Sequence, residues 1–321
     1  MFDELIDIKE EKLLSIDTEL LNILLKDKSS GKNIIWATDD YAQNGVGFEF
    51  DSEITINKIT GKYKDLIRPR AKKTKKEKET RARNNAEVFT PSWICNEQNN
   101  LADEEWFDKK NVFNTPTNNG WITNYNNIKF DKKTWEEYVK STRLEITCGE
   151  APYLVSRYDS VTGKKIKIED RIGLLDRKLR IVNENNNNEK EWIKWSIVAI
   201  KSIYGFDWQG DNILLARENI MYTYIDYYYY KFNKKPDIEL IKNIANIISW
   251  NIWQMDGIKY VIPNSCKNEK ITEISLFGNI TKEYVCEGCK SGNNKKHNGI
   301  YCKIMNWDTN RKVKFETLLK K

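Results

Sequence analysis

The chain has 321 residues, a hydrophobic fraction of 40% that includes 11 Trp, 16 Tyr and 11 Phe, and a formal net charge of +6. That content suffices for the packed core of one large domain or two ordinary ones and excludes a globally disordered chain. No apolar run approaches the ~20 residues that span a bilayer, and the acidic start MFDELIDIKEEK lacks the pattern of a signal peptide, so a cytoplasmic protein is expected.

Leucines and isoleucines cluster at helical spacing in EEKLLSIDTELLNILLKDKSSGK, which predicts a helix that stops at Ser29-Ser30-Gly31. NIIWAT (33–38) and EITINKIT (53–60) read as short strands. Between Lys62 and Arg83 eleven basic residues stand against three acids, a surplus of +8 in a chain of net +6, so the remainder carries −2. Such a concentration suits a phosphate backbone, with Arg68, Arg70, Lys72, Lys73, Lys75, Lys76, Arg81 and Arg83 as candidate nucleic-acid contacts. The competing reading is a solvated, flexible Lys-rich linker. Residues 1–85 are thus expected to form a cap and a basic segment.

AEVFTPSWICNEQNNL (86–101) opens a helix, with Thr90 as N-cap and Pro91 at the first helical position. The Asn- and Thr-rich stretch 111–127 reads as a loop, and WEEYVKSTR leads into LEITCGEAPYL (144–154), a strand that carries Glu145 and breaks at Cys148-Gly149. YDSVTGKKIKIED follows as a hairpin, IGLLDRKLRIVNEN as a helix and NENNNNEKE as a surface loop. From 191 to 232 the rhythm is helix, strand, helix: SIYGFDW is the strand, Asp207 lies near its carboxyl end, and Asp211 suits a cap of the next helix. The tyrosines of YTYIDYYYYKF, and Trp250 and Trp253, are read as packing residues. DIELIKNIANIISWNIWQ is a further helix ending at Asp256-Gly257, before a candidate strand GIKYVIP. This alternation predicts an α/β fold with a doubly wound, mainly parallel sheet.

Glu145, Asp207 and Asp256 would then stand at strand ends. In a nucleoside site, an acid after the second strand accepts hydrogen bonds from both ribose hydroxyls, which suits Asp207. At this spacing the chain resembles the adenine-specific DNA methyltransferases that form modification subunits of restriction systems. AEVFTP is similar to the Phe-Thr-Pro turn of that family, LEITCGEAPYL to its first cofactor loop, IYGFDWQGDNILLAREN to its ribose-holding strand and helix, and QMDGI to its next motif. The resemblance covers about residues 86–260 and implies a Rossmann-like S-adenosylmethionine-binding sheet. It implies that Glu145, Cys148 and Gly149 form the cofactor loop and that Asp207 holds the ribose. Phe89, Thr90 and Pro91 would cover the methionine, and Asp256 would sit by the adenine. Two departures stand out. Ala151-Pro152 replaces the glycines favoured in that loop, and the catalytic Asn/Asp-Pro-Pro-Tyr/Phe tetrapeptide occurs nowhere in the chain.

Residues 261–321 are expected to be a Cys-rich, zinc-binding tail. Cys286-x2-Cys289 and Cys302, with Cys266 upstream and the single His297, offer ligands for a tetrahedral structural zinc; the fourth ligand is open between Cys266 and His297, and reduced unpaired thiols are the alternative. Two functional readings follow. One is an S-adenosylmethionine-dependent DNA adenine methyltransferase of a restriction-modification system, requiring a partner if its own chain lacks the base-orienting residues. The other is a non-catalytic methyltransferase-like module that binds DNA or a restriction partner.

Overall fold

The computed structural model describes residues 10–275 and 278–319. The expected first helix is two: α1 (Glu10–Ile16) and α2 (Thr18–Leu25), divided at Asp17, whose carboxylate accepts the Glu19 N–H at 2.7 Å and starts the second helix. Leu20, Leu21, Leu24 and Leu25 bury the inner face of α2. NIIWAT and EITINKIT form no strand ladder and meet through the isolated bridge Ile35↔Glu53. The side-chain amide of Gln254 accepts from the Ile35 N–H and donates to the Ile35 carbonyl, both at 2.9 Å, and so takes the place of a neighbouring strand.

The basic segment continues into α3 (Lys75–Asn85), started by a capping box between Thr74 and Glu77. In α4 (Ser92–Phe107) the N-cap is Pro91 and not Thr90, because Asp159 from a distant turn supplies the missing acceptor to the Ser92 N–H at 2.7 Å. The stretch read as a loop contains a hairpin, β1 (Asn114–Thr117) and β2 (Gly120–Thr123), turned at Asn118-Asn119 with Asn119 at φ +57°. There follow α5 (Trp135–Lys140), β3 (Arg143–Ile146), α6 (Leu174–Asn185), α7 (Glu189–Lys201), β4 (Ile203–Asp207), α8 (Gly210–Phe232), α9 (Ile238–Asn251) and β5 (Ile252–Gln254). The tail holds two antiparallel hairpins, β6 (Glu269–Ser275) with β7 (Gly278–Tyr284) and β8 (Lys303–Asn306) with β9 (Arg311–Lys314), and the short α10 (Glu287–Ser291).

The chain is therefore mixed α/β around a small parallel sheet, β3-β4-β5, in chain order. Because successive right-handed crossovers advance in one direction, their helices fall on one face. Ile203 and Ile252 point into that helical core, which runs from Leu13 of α1 to the end of α9 and includes Tyr222, Tyr224, Tyr227 and Tyr228 of α8, whereas Tyr229 and Tyr230 are exposed. Phe206 and Trp253 point the other way and pack under Phe315, Ile304 and Cys302 of the tail. The third strand lies earlier than GIKYVIP. β5 follows α9 without a loop and shares its apolar run, so no break in the pattern marks it, while 256–261 is a turn closed by Asp256 N–H to Val261 O.

Candidate functional site

The carboxyl ends of β3 and β4 open on a cleft of about 1270 Å³, the position at which parallel sheets bind ligands. Its walls bring together Phe89 and Thr90, Glu145, Cys148 and Gly149, and Asp207 with Trp208.

The loop after β3 curls through three left-handed residues, Thr147 (φ +49°), Gly149 (φ +52°) and Ala151 (φ +64°). Cys148 N–H donates to Phe206 O and Gly149 N–H to Asp207 Oδ2 at 2.9 Å, which ties the loop to the neighbouring strand. Gly149 is required twice over. Its φ favours glycine, and a Cβ there would lie 3.0 Å from Cζ of Phe89, whose ring covers it. Ala151 bears the left-handed strain where a glycine would relieve it.

Glu145 lies behind the loop: Oε1 accepts from the Tyr153 N–H and Oε2 from the Leu154 N–H, each at 3.2 Å. Burial pushes its carboxyl up to about 8 against these two donors, and Asp207 adds to the rise. Glu145 thus secures the loop by closing the turn at Tyr153-Leu154. Asp207, also raised by burial, accepts from Gly149 and from the Gln209 N–H at 2.9 Å, with Asn212 Nδ2 at 3.5 Å. Asn212 borders the cleft as well, and its buried Oδ1 has no hydrogen-bond partner among the described residues.

Asp256 stands elsewhere. Its Oδ1 caps the Ile258 and Lys259 N–H groups, and it borders a small hollow beside Cys266 and Cys286, away from the cleft. Pro91 is the N-cap of α4 and does not line the cleft walls.

The basic segment is folded onto the body, and four of its eight candidate phosphate contacts are engaged in ion pairs there. Arg81 is 4% exposed: its guanidinium meets Glu87 at 2.5 Å, Asp211 at 2.9 Å and Asp40 at 3.2 Å, and donates to Gln209. Burial opposes its charge, but Asp211, Tyr41 and Glu87 together hold its pKa above the usual range. Lys73 lies 3.9 Å from Glu87 and 3.8 Å from Asp211, Arg70 is 3.4 Å from Glu87, and Arg68 pairs with Glu77 at 2.6 Å. Burial alone would raise the Asp211 carboxyl; Arg81, Lys73 and the Tyr41 hydroxyl hold it low. Lys73 and Arg81 are therefore structural ion-pair partners, not free phosphate contacts, whereas Lys72, Lys75, Lys76 and Arg83 remain exposed. Asp211, read as a helix cap, is the centre of this network; its partners lie 130 or more residues earlier in the chain and left no local signal.

In the tail, Cys266, Cys286, Cys289 and His297 converge, with their ligand atoms all within 4.8 Å of one another. His297 Nδ1 lies 3.6, 3.8 and 3.6 Å from the three sulfurs. A tetrahedron with Zn–S of about 2.3 Å and Zn–N of about 2.05 Å has S···N edges of about 3.6 Å. These four residues can hold a metal ion such as zinc. Gly288, between the two knuckle cysteines, allows the approach, since a Cβ there would lie 2.6 Å from Nδ1 of His297. Burial favours the neutral Cys286 thiol, yet the Asn298, Cys289 and Gly288 N–H groups and His297 outweigh it and bring it down to about 6. Cys302 is a correction to the expected ligand set. It is fully buried against the sheet with its Sγ 3.3 Å from Gln254 O, because the residue after the Val261↔Tyr301 bridge turns inward. Cys266 and His297, read as alternatives, both join the cluster.

No protein-family profile, curated protein or solved structure matches this chain. Among the described residues no helix is long and apolar enough to cross a membrane.

Proposed function

We propose that the cleft binds S-adenosylmethionine and that the chain acts in the methylation of adenine in DNA, as part of a restriction-modification system. One observation carries this reading: Phe89-Thr90, Cys148-Gly149 and Asp207, read from three distant segments as cofactor contacts, line one cleft at the ends of adjacent parallel strands. The fit is supported by the acceptors there, since Asp207 retains lone pairs for a ribose diol and Asn212 Oδ1 is a buried acceptor in want of a donor. When bound, the cofactor supplies a methyl group on a good leaving group, so the protein's task is positioning. Asp207 orients the sugar, Phe89 closes over the Gly149 turn, and Trp208, 37% exposed at the rim, offers an aromatic face to a purine. The exposed Lys72, Lys75, Lys76 and Arg83 would contact phosphates. The metal of the tail is taken as zinc in a structural role, since four protein ligands leave no open position.

The missing tetrapeptide favours a second reading, a non-catalytic methyltransferase-like module that binds DNA or a restriction partner. Calorimetric titration of S-adenosylmethionine into wild type and Asp207→Ala, followed by labelled methyl transfer to DNA, separates the two. Binding lost in Asp207→Ala supports the cofactor reading, and binding without transfer supports the module or a partner-dependent enzyme. Absence of cofactor binding by the wild type sinks the first reading.

A further inference from the structure

The tail is a second basic region of the chain. Residues 261–321 carry twelve Lys and Arg against six Asp and Glu, a surplus of +6; with +8 at 62–83, the rest of the chain is left at −8. The fold gathers part of this charge on one face. In the β8-β9 hairpin Lys303 stands opposite Lys314 and Met305 opposite Lys312, while Ile304 and Val313 turn towards the sheet. Alternation therefore places Lys303, Lys312 and Lys314 together on the outer face, two of them directly across the ladder, where like charges cost stability. Lys28, from the turn after α2, joins them: its Nζ and that of Lys312 stand 5.8 and 5.2 Å from the centroid of one ring, Trp250. Lys28 Nζ also donates to Asn246 Oδ1 at 2.7 Å, and Lys314 Nζ lies 5.0 Å from the centroid of the Tyr301 ring. Among the described residues none of these four cations forms an ion pair. Asp27, beside Lys28, is 3% exposed and accepts from the Ser29 and Ser30 N–H groups. Burial, and after it the charges of Arg217, Lys26 and Lys312, bring Lys28 down to about 8. A crowd of cations without acids is relieved by an anion from outside the chain.

The arrangement decides which anion. Alternate side chains of a strand recur about every 6.8 Å, close to the interval between successive phosphates of a nucleic-acid strand, so Lys312 and Lys314 can meet consecutive phosphates. A small anion is gripped from several sides in a concavity of N–H groups, whereas these lysines are spread along a surface. Trp250 is 7% exposed and lies beneath its two lysines, so it offers no face on which an unpaired base could stack; the contact is to the backbone of a duplex. We infer that the face formed by Lys28, Lys303, Lys312 and Lys314 docks on the phosphate backbone of duplex nucleic acid. Trp250 lies at the amino end of β5, and none of these residues borders the cleft at the carboxyl ends. The inference therefore rests on charge and packing and not on the cofactor reading, and the surface is separate from Lys72, Lys75, Lys76 and Arg83.

The probe is a fluorescein-labelled DNA duplex of about 24 base pairs, titrated with the full chain in anisotropy across about 50–200 mM salt. Lys312→Gln combined with Lys314→Gln should lower the slope of log affinity against log salt by about 1.8, at about 0.9 per phosphate contact, and weaken binding at least about tenfold at about 100 mM salt. Lys28→Gln, in another element, should lower the slope by about 0.9, with circular dichroism unchanged in both variants. Lys109→Gln combined with Lys110→Gln removes the same charge from the exposed turn after α4 and should leave the slope as in the wild type. Failure of the wild type to bind the duplex, an unchanged slope in the first two variants, or an equal fall in the Lys109, Lys110 control overturns the inference. Calorimetry with inorganic phosphate and with poly-glutamate tests the other occupants. Saturable binding of either that is lost in the Lys312, Lys314 variant, while its duplex binding stays intact, overturns the inference in favour of a small-anion site or an acidic protein. The titration of S-adenosylmethionine into Asp207→Ala is independent of these lysines, so either reading can fail alone.

Discussion

Glu145→Gln tests whether the strand leading into the cleft carries a neutral acid. The residue is 7% exposed, and burial pushes its carboxyl up to about 8 despite the two N–H groups it accepts from. An unfolded glutamate titrates near 4.3, so the folded value is the higher one. The stability that protonation confers is complete below about pH 4.3 and is lost as pH rises through about 8. A difference of between three and four units, at about 1.4 kcal/mol each, amounts to on the order of 5 kcal/mol between pH 4 and pH 9. Glutamine has the same shape and no titration, and it turns one N–H-bearing nitrogen towards a backbone donor at a cost of about 1 kcal/mol. The variant should therefore match or trail wild type by about 1 kcal/mol at pH 5, and exceed it by several kcal/mol at pH 9. Urea denaturation followed by tryptophan fluorescence across this range measures both curves, and titrating groups that do not interact with Glu145 cancel in their difference. A flat difference, or a variant that loses ground as pH rises, refutes the reasoning.

The remaining expectations concern the tail, the basic segment and the loop. Purified protein should carry about one zinc per chain by atomic emission; Cys289→Ser should release most of it and Cys302→Ser should not, because only the former lies in the cluster. Arg81→Ala should cost about 3–5 kcal/mol in chemical denaturation by stranding buried Asp211 and Glu87, whereas Lys76→Ala should stay within about 0.5 kcal/mol and instead weaken DNA binding and lower its salt dependence. Gly149→Ala should lose about 1–2 kcal/mol from its left-handed backbone, and displacement of the Phe89 ring should weaken S-adenosylmethionine binding in calorimetry; equal affinity would remove Phe89 from the cofactor site.

Helices α6 to α9 and strands β3 and β4 were legible because long periodic or apolar runs are bounded by polar loops. β5 was hidden, since its three residues continue the apolar run of α9. The hairpin at 114–123 was hidden for the opposite reason, its Asn and Thr content being that of a loop. Composition located the basic segment, but charge density carries no information on whether a partner acid waits elsewhere in the fold. The same holds for the cysteines: spacing picks out Cys286 and Cys289, while the choice among Cys266, Cys302 and His297 depends on which way each side chain turns.

What the residues determined by themselves was local: which long segments are helical, which turn needs a glycine, and which two thiolates form a knuckle. Tertiary structure alone decided that Glu145 closes a loop while Asp207 faces the cleft, that Arg81 is buried and Lys76 exposed, and that Asp256 stands away from the cleft beside the cysteine cluster. Local propensity acts over a few residues, whereas burial and electrostatics are set by groups that meet only when the chain has folded.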